Sequence, residues 1–147
     1  MRQKEKKAMT DIQRQIRKLA RSHGLRLIYV FGSRAGEIMD MVKEKRHSLS
    51  PSRSDIDIGI LSHRHLSVED KVAIALFFED LFAVAKTDVV ELSEAPVSLA
   101  FEIVQGELLY AEDPDFEAEY QLHVLRMTAD IMPYERKKRE MVLGIRT

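Results

Sequence analysis

Two aspartates one residue apart, Asp55 and Asp57, stand on an otherwise apolar run of Ile56, Ile58, Gly59, Ile60 and Leu61. In an extended strand, residues two apart share a face. Both carboxylates therefore point one way, while Ile56, Ile58 and Ile60 point the other. Like charges that close repel each other, and apolar surroundings penalise each of them. A divalent cation between them removes that cost, and hard carboxylate oxygens suit Mg²⁺. Upstream, Leu27-Ile28-Tyr29-Val30-Phe31 runs into Gly32-Ser33. A glycine-serine turn leaving a strand offers backbone N–H groups and a hydroxyl to a phosphate, with no side chain blocking close approach. Metal-binding acids beside a phosphate cradle point to phosphoryl or nucleotidyl transfer.

These residues need strands to hold them. About 26–31 and 55–61 are strand-length, β-branched runs, and Thr87-Asp88-Val89-Val90-Glu91-Leu92 is a third. Asp88 shares a face with Val90 and Leu92, where an ionised carboxylate needs either an arginine or a metal for company. With two aspartates upstream, the metal is the better reading. Glu91 falls on the opposite face and is expected to be exposed.

Gly32-Ser33, then Ser54-Asp55-Ile56-Asp57, then Asp88 on a later strand resembles the signature of the DNA polymerase β-like nucleotidyltransferase superfamily. At 147 residues the chain looks like its minimal nucleotidyltransferase (MNT) branch. The resemblance covers roughly residues 26–110. It implies that Asp55, Asp57 and Asp88 hold two Mg²⁺ ions. It also implies that Gly32, Ser33, Arg34 and Ser54 orient the phosphates of ATP or another NTP, from which a nucleoside monophosphate passes to a hydroxyl. Proteins of this kind commonly pair with a small helical HEPN toxin and act as antitoxin by attaching AMP to one of its tyrosines. An antitoxin that masks its partner by contact alone, and a transferase acting on small molecules of the aminoglycoside type, are the alternatives. One departure is the spacer: 21 residues separate Ser33 from Asp55, more than the family pattern has. A short helix is expected to begin near Ser33 or Ala35, with its N-terminal amides toward the phosphates, and residues 37–53 read as an inserted loop with at most one helical turn over 39–45. It is either passive or a lid carrying Lys43, Lys45 and Arg46.

Bulk composition narrows the class. An apolar content of 45% and a charged content of 32% describe an ordinary globular chain, one domain long. The absence of cysteine excludes disulfides, a thiol nucleophile and Cys-ligated zinc, which fits a cytoplasmic setting. The longest apolar run, Val72 to Phe78, is too short to span a bilayer, and the basic N-terminus lacks the apolar core of a signal peptide. A net charge of −1 speaks against direct nucleic-acid binding, although nine Lys or Arg face two acids between Met1 and Arg26.

The remaining elements follow from caps and periodicity. A helix is expected over about 3–23, closed by Gly24. Another starts after the Ser67 cap and buries a wide face through Val68, Val72, Leu76 and Phe82. A short helix over 96–105 ends at Gly106, and a short strand covers 108–110. A last helix over about 114–140 begins at Asp113-Pro114, and Pro133 should kink or end it. It offers Phe116, Tyr120, His123 and Met127 on one side and Leu122, Leu125, Ala129 and Met132 on the next, enough for a second chain to dock. His63 and His65 lack a third zinc ligand in the sequence and read as surface residues. The fold expected is α/β (α+β): a small mixed sheet of about four or five strands, with helices mainly on one face, in the manner of the polymerase β-like palm.

Overall fold

The computed structural model describes residues 8–50 and 55–144. In chain order they form α1 (Asp11–His23), β1 (Leu25–Phe31), α2 (Ala35–Val42), β2 (Ile56–Ser62), α3 (Val68–Phe82), β3 (Thr87–Glu91), a 3₁₀ turn (Leu92–Glu94), α4 (Val97–Val104), β4 (Glu107–Ala111) and α5 (Pro114–Leu143). The first part of the helix expected over 3–23 lies outside the described residues.

Local chemistry sets the element boundaries. Thr10 and Gln13 form a reciprocal capping box at the start of α1, and Gly24, at φ 65°, closes it in the left-handed conformation. Ser67 and Asp70 repeat the box on α3, and Asp113 caps α5 with Pro114 in its first turn. Gly106 follows directly on the C-cap of α4, where the helix was expected to stop, and donates its N–H to the Ile103 carbonyl. A Cβ there would sit 2.3 Å from the Val30 carbonyl oxygen, so glycine lets the chain turn tightly against β1.

The sheet is four-stranded and mixed, in the order β3-β2-β1-β4. β1 pairs antiparallel with both β2 and β4, and β2 pairs parallel with β3 through the α3 crossover. Alternation along the central strands divides the core in two. Ile28, Val30, Ile56, Ile58 and Ile60 face α1, α2 and α3 on one side. Leu27, Tyr29 and Phe31 face α4 and α5 on the other. α4 comes in so closely that a Cβ on Gly59 would stand 2.5 Å from Ile103 Cγ2. Arg26 lies over the Phe116 ring, 3.4 Å from its centroid, and the Tyr29 hydroxyl donates to Glu117, tying α5 to β1. Burial and the Glu117 carboxylate together push the Tyr29 phenol well above its usual range. Among the described residues, no helix is long and apolar enough to cross a membrane.

Four expectations need correction. The short helix expected to begin near Ser33 or Ala35 is α2, but it runs on through residues 37–42, read as the start of the inserted loop, and Ile38, Met41 and Val42 bury its inner face. On α3 the buried stripe is Ile74, Phe78 and Phe82; Val68, Val72 and Leu76 are exposed, so the apolar sequence is wider than the face it covers. Pro133 sits inside α5, which continues to Leu143. The carbonyl freed by the missing N–H belongs to Ala129, on an exposed stretch open to solvent. Glu91 is only 6% exposed, because Lys71 from α3 reaches over it with Nζ 2.6 Å from Oε1.

Candidate active site

Strand register assembles the acids. Phe31, the last residue of β1, pairs with Asp57, and Asp57 in turn pairs across the parallel ladder with Asp88. Asp55 immediately precedes β2. The chain leaves β1 through Gly32 at φ 82°, and a Cβ at that position would stand 2.7 Å from Asp57 Oδ2. The turn backbone therefore lies directly against the carboxylate, an approach only glycine allows. Gly32 and Ser33 are exposed, and α2 starts beside them with Arg34 at its N-cap and no side chain capping its amides. An uncapped helix start next to a glycine turn is a ready anion cradle.

Charge at this point is unbalanced. The Asp57 carboxyl is held above its usual range, first by burial and then by Asp88, Asp55 and Glu102. No hydrogen bond or ion pair compensates Asp57 among the described residues. Among the described residues the cation at the other two is Lys86, whose Nζ lies 3.9 Å from Asp55 Oδ2 and 3.7 Å from Asp88 Oδ1, on a side chain that is 64% exposed. A mobile ammonium at those distances contributes little. Three carboxylates at neighbouring strand positions, without sulfur or imidazole, are hard oxygen donors of the kind Mg²⁺ takes, although their oxygens do not all lie within 4.8 Å of one another.

Sequence reasoning brought together Gly32, Ser33, Asp55, Asp57 and Asp88, and the structure places all five at one end of the sheet. Arg34, at the N-cap of α2, lines a cavity that Asp55 also borders. It is 5% exposed, donates from Nη2 to the Ser50 carbonyl at 2.9 Å, and lies 3.7 Å from Glu37 Oε1. Ser54 lies outside the described residues. Lys86 was missed, although it stands two residues before Asp88 and the same alternation puts both on one face. His63 and His65 do not act together. His63 Nε2 lies 2.7 Å from Glu112, whereas His65 sits by Glu91 and Glu94, the third ligands that the sequence hid. Lys71 already neutralises that pair of glutamates, at 2.6 and 3.5 Å.

The chain is similar to known proteins in family and in fold. The family model described as "Polymerase beta, Nucleotidyltransferase" matches residues 14–115. No curated protein matches the chain. Among solved structures, a toxin–antitoxin complex with AMP-PNP aligns at TM-score 0.68 and 21% identity, over 89% of this chain and 98% of that one. A MntA–HepT toxin–antitoxin aligns at TM-score 0.64 and 20% identity, over 90% and 97%. A tri-AMPylated Shewanella oneidensis HEPN toxin in complex with MNT antitoxin gives TM-score 0.64 and 20% identity, over 90% and 96%. At these identities the likeness is one of fold. The match of the family model extends over the strands, the turn and all three aspartates, and the chain belongs to the polymerase beta nucleotidyltransferase family.

Proposed function

We propose that the protein transfers AMP from ATP to a hydroxyl, with a tyrosine of a HEPN-type toxin as the acceptor, and that it acts as an antitoxin. The observation that carries this reading is the convergence of Asp55, Asp57 and Asp88 against the Gly32 backbone at the uncapped start of α2. Asp55 and Asp57 would hold divalent ions shared with the triphosphate, and Asp88 would hold the ion on the acceptor side. Bound there, Mg²⁺ neutralises the triphosphate and makes the acceptor hydroxyl more acidic.

The chain's own groups do the rest. Gly32 and Ser33 orient the β- and γ-phosphates through backbone N–H groups and the serine hydroxyl. Asp88 takes the proton from the attacking hydroxyl. The new bond joins that oxygen to the α-phosphorus, the bond to the bridging oxygen breaks, and pyrophosphate leaves. A partner has somewhere to sit. α5 is about 45 Å long at 1.5 Å per residue, and it leaves Leu122, Leu125, Met132, Met141, Val142 and Leu143 exposed. Toxin partners in the similar solved structures support a protein acceptor.

The test mixes the protein with labelled ATP, Mg²⁺ and, separately, a HEPN-type toxin and a panel of aminoglycosides. The expected result is a gain of one AMP unit in the intact mass of the toxin, abolished by EDTA. Toxin neutralised without mass change, or label on the drug alone, would replace this reading.

A further inference from the structure

The long stretch between Ser33 and Asp55 builds something specific. After α2 the chain folds back, and Ser50 is fastened to the helix from both sides. Its backbone N–H and its hydroxyl donate to Glu37 Oε1 at 2.9 and 2.8 Å, and its carbonyl accepts from Arg34 at 2.9 Å. Residues 47–50, held this way, form one wall of a cavity of about 420 Å³ whose other wall is the connection from α3 to β3. That volume falls within the range of small-molecule sites.

The lining is apolar, polar and, through Arg34 and Lys86 at its border, basic. Leu49, Leu81 and Val84 give an apolar surface, while His47 and Ser48 offer hydrogen-bonding groups. Asp55 and Lys86 border the same cavity, so it adjoins the cluster of acids.

We propose that this cavity receives the nucleoside end of the donor nucleotide, base and ribose, while the triphosphate lies on the Gly32-Ser33 turn. The inference rests on the nucleotidyl-transfer reading and adds the part of the substrate that the loop recognises. In such a donor the α-phosphate is attacked beside the acids, so the ribose bonded to it must begin next to Asp55. An apolar wall suits the faces of a base and does nothing for phosphate. His47 and Ser48 are placed to meet the edge of the base or the ribose hydroxyls. Because the wall is tied to α2 through Ser50, the site is formed before the ligand arrives.

Ala85 lines the cavity and is exposed, so Ala85→Trp should fill the space without entering the core. Calorimetric titration with Mg²⁺ present compares AMP-PNP with inorganic tripolyphosphate on wild type and variant. The expected result is that Ala85→Trp weakens AMP-PNP about tenfold or more while tripolyphosphate stays within about twofold. Retained tripolyphosphate binding also shows that the variant is folded. His47→Ala, which adds no bulk, should show a smaller loss confined to AMP-PNP. Unchanged AMP-PNP affinity in both variants, or a parallel loss of tripolyphosphate, would overturn the cavity assignment and leave the transfer reading intact. A wild-type protein that binds neither probe would overturn both.

Discussion

Asp57 is the residue on which the site turns, because it combines partial burial with three like-charged neighbours and, among the described residues, no compensating cation. Replacing it with asparagine keeps its shape and removes the repulsion. Asp57→Asn should therefore raise the melting temperature of the metal-free protein while lowering transfer on the order of a thousandfold or more, as expected when an electrostatic contact to the reacting centre is lost. Thermal denaturation in EDTA and single-turnover transfer assays check the two halves. Gly32→Ala meets both a positive φ and an Asp57 oxygen 2.7 Å away. It should cost about 1–3 kcal/mol of stability and displace the carboxylate, which urea unfolding and the same transfer assay would register. These positions were legible in the sequence because residue type and a period of two carry the information. Glu91 was misread for a physical reason: alternation names the face of a strand, but a lysine arriving from α3 decides whether that face is covered.

Between the turn and the acids, α2 and the stretch behind it act as one braced unit. The Glu37 carboxyl is held below its ordinary value of 4.5, first by the Ser50 backbone N–H and then by the Ser50 hydroxyl. A depressed carboxyl binds fewer protons in the folded chain than in the unfolded one. Its contribution is therefore complete above about pH 4.5 and is lost as pH falls through the depressed value. Protection of the Ser50 amide against exchange, measured by NMR relative to its intrinsic rate, should fall on acidification in that window. In Glu37→Gln it should be low at neutral pH as well. The start of α2 was legible beside the glycine-serine turn, but its extent was not, because it is only eight residues long and runs into a polar stretch that reads as a loop. Ile38, Met41 and Val42, at spacings of three and four, were the available signal. On the opposite face, Gly59→Ala would push against Ile103 and should cost about 1–3 kcal/mol by overpacking, measured as a shift in the urea midpoint.

At the scale of the molecule, the domain is complete without the outer half of α5. Val124 is fully buried, whereas Met132, Tyr134, Met141, Val142 and Leu143 are all more than half exposed. A chain ending at Ile131 should melt within a few degrees of the full-length protein yet fail to form a complex with its partner on size exclusion. Strand count and mixed pairing were readable from alternating runs and caps. The wide apolar content of α3 and α5 was readable too, but whether it met the sheet or solvent depended on packing that no local pattern encodes. Pro133 illustrates the limit, since an exposed helix tolerates a break in its ladder that a buried one would not. What the account claims first is a metal site made by Asp55, Asp57 and Asp88. Titration with Mn²⁺ followed by electron paramagnetic resonance, with and without AMP-PNP, measures it most directly. The expected result is Mn²⁺ binding that tightens with nucleotide and is lost in Asp57→Asn and weakened in Asp88→Asn. Equal Mn²⁺ affinity in wild type and both variants would contradict it.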